Sequence, residues 1–79
     1  MTDVETRARE ILGRQLKAEP AALRAEDRLR EDLGADSLDL VELIYDFEEA
    51  FATRIPDEQA VDIRTVGDVF VAIEKGKAP

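Results

Sequence analysis

Ser37 is the residue of this 79-residue sequence best placed for chemistry: Asp36 precedes it, Gly34 lies three positions upstream, and Asp32, Asp39 and Glu42 are close by. What chemistry is open to it depends first on what the chain lacks. With no His and no Cys, there can be no Ser-His-Asp triad, thiol nucleophile, zinc finger or disulfide scaffold. Catalysis would have to run on Ser, Asp, Glu, Lys or Tyr. A small hydrolase pairing Ser37 with a carboxylate fits poorly, since no base of suitable pKa is evident and so short a chain offers little room for a shaped substrate pocket.

Two local roles remain for Ser37. If Asp36 is the N-cap of a helix, Asp39 falls at the third helical position, where an acid is favoured, and Ser37 becomes the first helical residue. Its hydroxyl is then released from capping and exposed at the positive end of the helix, a suitable place for a phosphate or phosphodiester. Alternatively Ser37 is itself the cap, a position serine commonly occupies. Local physics leaves both open.

Four helices must position this serine. Thr2 and Glu5 have capping-box spacing, and Val4, Ala8, Ile11, Leu12 and Leu16 recur at helical intervals, which predicts a first helix over Asp3–Leu16. Pro20 biases Glu19 away from helical geometry. The long connection that follows needs anchors, and Leu23, Leu29 and Leu33 supply them, with a helical turn over 28–33 closed by Gly34. A second helix is expected over Ser37–Phe51 and a short third from Pro56, suited to a first helical position. In the fourth, Thr65 and Asp68 cap the pattern Val66, Val69, Phe70, Ile73, and Gly76 marks a stop. Val69, Phe70 and Val71 could form a strand, but a lone strand has no partner elsewhere in the chain. The expectation is one all-α domain over 1–79: a small four-helix bundle, with three main helices, a short third, a long first loop and a flexible tail at 75–79. Leu, Ile, Val and Phe number 22 of 79, enough for a core, though a small one.

Placed 100° apart, the residues of the second helix divide into three faces. Leu40, Leu43, Ile44, Phe47 and Phe51 form a core-facing stripe. Asp39, Glu42, Asp46 and Glu49 form an acidic stripe opposite, which alone would read as a solvated face. Leu38, Val41 and Tyr45 fall in a third arc beside the acids, either as a partner surface or, for Val41 and Tyr45, as packing beneath the third helix. The net charge of −8, from 19 acidic and 11 basic residues, opposes nucleic-acid binding and favours partners that present lysine and arginine. No apolar run reaches membrane-spanning length, and the charged N-terminal stretch is unlike a signal peptide. A cytoplasmic monomer without membrane insertion is the default expectation.

The run Leu33-Gly34-Ala35-Asp36-Ser37-Leu38-Asp39-Leu40-Val41-Glu42-Leu43 closely resembles the acyl carrier proteins. The resemblance extends along the whole chain through the opening helix, the long loop, Glu48-Glu49 with Phe51, Ile55-Pro56-Asp57 and the helix after Thr65-Val66. It implies that Ser37 bears 4'-phosphopantetheine, added from coenzyme A by a phosphopantetheinyl transferase (a holo-carrier synthase), and so makes the chain a phosphoprotein. The arm's thiol would carry acyl intermediates of fatty acid biosynthesis as thioesters, which accounts for a chain without Cys or His. Partners would be acyl-transfer, condensing and reducing enzymes with basic patches. The docking residues implied are Asp36, Leu38, Asp39, Glu42, Tyr45, Glu48 and Glu49, to which the two exposed arcs add Val41 and Asp46.

The resemblance also implies an acyl cavity lined by Leu40, Leu43, Phe47, Ile55, Ala60, Ile63 and Val69. Phe47, Leu40 and Val69 stand where the family commonly has leucine, threonine and alanine, and Tyr45-Asp46 replaces a methionine-alanine pair, so the cavity is expected to be small. No dedicated metal site is expected. The crowded acids Asp32, Asp36, Asp39, Glu42, Asp46 and Glu49 should repel one another, so divalent cations or salt should stabilise the fold, through at most a weak shared site. Two other functions compete: a carrier dedicated to polyketide or specialised lipid synthesis, and an unmodified acidic interaction module in which Ser37 is only a cap. A peptidyl carrier fits less well, because its second helix is usually less acidic.

Overall fold

The computed structural model describes residues 3–76. Four helices follow in order: α1 (Asp3–Leu16), α2 (Ser37–Phe51), α3 (Asp57–Ala60) and α4 (Val66–Gly76). Among the described residues the only β-type pairing is an isolated bridge between Arg28 and Thr65. The all-α expectation holds, and α1 and α2 have the bounds their periodicity predicts. α1 buries Ala8, Ile11 and Leu12, α2 buries Leu43 and Phe47, and α4 buries Val66, Val69, Ala72 and Ile73. These meet in one core with Leu23, Leu29, Ala35 and Ile55. Val69 and Phe70 lie inside α4, so the strand alternative is excluded.

The long connection is ordered by backbone pairing with the segment before α4. Leu29 N–H donates to the Arg64 carbonyl at 2.9 Å, Val66 N–H to Asp27 at 3.0 Å, and Gly67 N–H to Ala25 at 2.9 Å. Leu23 and Leu29 are buried and Leu33 half-buried against the core, as anchoring requires. The turn over 28–33 forms, with Asp32 and Leu33 N–H donating to the Arg28 carbonyl. Gly34 closes it at φ 74°, in the left-handed region glycine enters without strain.

Four expectations need correction or restriction. A one-turn 3-10 helix at Pro20–Ala22 was not foreseen; Pro20 starts it with its fixed φ, but three residues carry no readable period. Pro56 is the N-cap of α3, not its first residue, because its extended ψ of 156° precedes the helical turn. Lys75 and Gly76 belong to α4, so the proposed tail loses its first two residues. Thr2, half of the first capping box, and the rest of the tail, 77–79, lie outside the described residues.

Candidate functional site: the N-terminal end of helix α2

Asp36, in extended conformation, is the N-cap of α2. Its Oδ1 accepts from Asp39 N–H at 2.8 Å, while Asp39 Oδ2 accepts from Asp36 N–H at 3.2 Å. This reciprocal capping box settles the choice left open by the sequence: Ser37 is the first helical residue and is exposed. The Asp36 N–H, and then the Gln15 side-chain amide at 3.2 Å, hold the Asp39 carboxyl below the usual carboxylate range. Glu42 accepts from the same Gln15 amide at 2.9 Å. Two acids of the stripe are thus tied to α1, which fixes how α2 presents its first turn.

Ser37 is the only serine in the chain. The Arg30 guanidinium, from within the preceding turn, donates to Ser37 Oγ at 3.3 Å. An exposed hydroxyl beside a cation can accept an anionic substituent without burying charge. The residues present therefore fit a phosphodiester on Ser37.

Along the outer arc, Leu38 is 65% exposed, Val41 48% and Tyr45 66%. Val41 and Tyr45 line an open groove facing Arg54, Pro56, Asp57 and Glu58, so they do not pack beneath α3. Asp46 and Glu49 are exposed beside this arc. Glu48 is half-buried, and its carboxylate accepts from Ile55 N–H at 2.9 Å, holding the turn after α2.

Six of the seven residues assigned to an acyl cavity surround one void: Leu40, Leu43, Phe47, Ala60, Ile63 and Val69. Its volume is about 20 Å³, roughly enough for one water molecule and too small for an acyl chain unless the walls move. Ile55, the seventh, is buried at the edge of the core and lines the outer groove with Val41 and Tyr45. Sequence reasoning missed Leu29 and Ile44 as walls of the void. Ile44 was legible on the core stripe, but Leu29 comes from a loop whose path no periodicity reports.

The phosphopantetheine attachment site family matches residues 6–70. An acyl carrier protein of Wolinella succinogenes is 49% identical over 69 residues, covering 87% of this chain and 91% of that one. The chain belongs to the acyl carrier protein family. A second relative, the acyl carrier protein of Amoebophilus asiaticus, is 44% identical over 75 residues, 95% of this chain and 94% of its own. The solved structure of an acyl carrier protein from Enterococcus faecalis superposes with a TM-score of 0.82 at 29% identity, covering 98% of this chain and 100% of that one. Acyl carrier proteins hold covalently attached 4'-phosphopantetheine and act as carriers, not catalysts.

Among the described residues, no group of three or more His, Cys, Asp or Glu side chains is placed to hold a metal ion. Asp32 is committed to Arg28, whose backbone N–H and then guanidinium lower its carboxyl pKa. Asp36 and Asp39 cap each other's backbone. No described helix is long and apolar enough to cross a membrane.

Proposed function

We propose that Ser37 is the phosphopantetheine attachment point and that the chain passes acyl groups between enzymes of fatty acid biosynthesis, in the cytoplasm and as a monomer. The observation that carries the assignment is the Asp36 capping box, which leaves the chain's only serine exposed and free of capping within the family match. On a phosphopantetheinyl transferase, Ser37 Oγ forms a bond to the pantetheine-bearing phosphorus of coenzyme A as the pyrophosphate bond breaks; adenosine 3',5'-bisphosphate leaves and the hydroxyl proton passes to a base of the transferase or to water. The arm, once bound, supplies the thiol on which cargo is held as a thioester. The protein's own residues position the attachment point and present a surface. Leu38, Val41 and Tyr45 offer modest apolar area, and Asp36, Asp46 and Glu49, with Asp39 and Glu42 tethered to Gln15, steer basic partners. Glu48 contributes by holding the turn.

Incubating the apo protein with coenzyme A and a broad-specificity transferase tests the assignment by intact mass. Wild type should gain one phosphopantetheine and Ser37→Ala none. An unmodified wild type would leave only the interaction-module reading.

The tightness of the void favours a second reading, a carrier dedicated to a specialised pathway. Leu40, Phe47 and Val69 crowd the space that a sheltered acyl chain would need. On this reading, thermal stability rises little as loaded acyl groups lengthen, and a steep rise with chain length would contradict it.

A further inference from the structure

Arg28 and Arg30 occupy the same turn but meet different surroundings. Arg28 is paired, with Nε 3.3 Å from Asp32 and Nη1 3.7 Å from Glu31. Arg30 is exposed, and among the described residues no carboxylate stands within ion-pair distance of it. Among the described residues its one side-chain hydrogen bond is the 3.3 Å contact from Nη2 to Ser37 Oγ. Holding a long, charged side chain against a neutral hydroxyl contributes little by itself.

Esterification changes what Arg30 faces. A phosphorus bonded to Oγ makes that oxygen a poor acceptor and places beside it two non-bridging oxygens that share one negative charge, within reach of a guanidinium that already contacts Oγ. Guanidinium matches phosphate oxygens in charge and in the geometry of its donors. We propose that Arg30 is a positioning residue that pairs with the phosphodiester on Ser37, a role that rests on the carrier reading above. The pair offsets a negative charge added to a chain already at −8. It also fixes the base of the arm beside a groove of about 480 Å³ whose walls include Leu29, Arg30, Glu31, Leu40, Ala60 and Ile63. Four of those residues, Leu29, Leu40, Ala60 and Ile63, also bound the small interior void. Arg30 thus anchors the arm on the side from which cargo would approach the core.

Apo and holo forms of wild type, Arg30→Gln and Arg30→Lys provide the test, with loading verified by intact mass. At low ionic strength, conversion to holo should change Tm less favourably in Arg30→Gln than in wild type, by about 2–4 °C. Arg30→Lys should lie between them, and the differences should shrink at high salt. The 31P resonance of holo protein should shift between wild type and Arg30→Gln, a change that general destabilisation does not produce. Should Arg30→Gln load poorly, holo Arg30→Lys gives the same readings at smaller size. Equal apo-to-holo changes together with an unmoved 31P resonance would overturn the role of Arg30 while leaving the carrier assignment intact. A wild type that gains no mass would overturn both.

Discussion

At its C-terminal end α2 is tied into the protein, whereas at its N-terminal end the polar groups are arranged to leave one side chain free. After Phe51 the chain reverses through Ala52, left-handed at φ 49°, and Thr53 is buried with Oγ1 donating to the Ile73 carbonyl at 2.9 Å. Glu48 accepts from Ile55 N–H, and Arg54 N–H donates to Gly76 at 3.2 Å. At the other end, Asp36 and Asp39 satisfy each other's backbone, Gln15 tethers Asp39 and Glu42, and Ser37 stays exposed. Hydrogen bonds are abundant at both ends. What differs is their product: a buried knot holding α2 to α4 in one case, and an accessible hydroxyl in the other.

Substitutions should separate the two ends by their cost in stability. The largest loss should come from Gly76→Ala, since a methyl there would overlap Thr53 Oγ1 and the Arg54 carbonyl; chemical denaturation should show about 1–3 kcal/mol. Thr53→Val should follow at about 1 kcal/mol, through loss of a buried hydrogen bond. Asp36→Ala should cost a similar amount, about 1 kcal/mol, by removing the N-cap, and a value near zero would mean that the box does not hold α2.

Acid titration probes the same box more gently. Hydrogen bonds lower the folded-state pKa of Asp39, and those from the Arg64 and Thr65 N–H groups do so for Asp68 against an opposing cost of burial. Their contribution should therefore be complete above the unfolded value of about 4 and disappear as pH falls through the lower folded values. Denaturation midpoints should hold to about pH 5 and then decline. Asp39→Asn, which can still accept from Asp36 N–H, should make that decline shallower. The smallest effect belongs to Ser37→Ala, with stability within about 0.5 kcal/mol of wild type.

The contrast was only partly legible in the sequence. Helices α1 and α2 could be bounded because apolar period and capping residues agree, and the arcs of α2 followed from angular position alone. Asp36 could be read as a possible N-cap with Asp39 a favoured acid at the third helical position, because both lie within one turn. The knot was hidden, since Glu48 meets Ile55, and Thr53 meets Ile73, only after Ala52 adopts a left-handed conformation with no glycine to announce it. Glu48 entered the docking set only through the resemblance, which does not report its hydrogen bond with Ile55 N–H. Arg30 escaped notice for a related reason: its contact with Ser37 depends on the turn over 28–33 closing at Gly34.

Fragmentation mass spectrometry of protein loaded with coenzyme A and a transferase tests the central claim most directly, that the first turn of α2 exists to present Ser37. A single phosphopantetheine should map to the fragment containing Ser37, and Ser37→Ala should stay unmodified while melting at the wild-type temperature. Addition at Thr53, Thr65 or Tyr45, addition to Ser37→Ala, or no addition to wild type would contradict it.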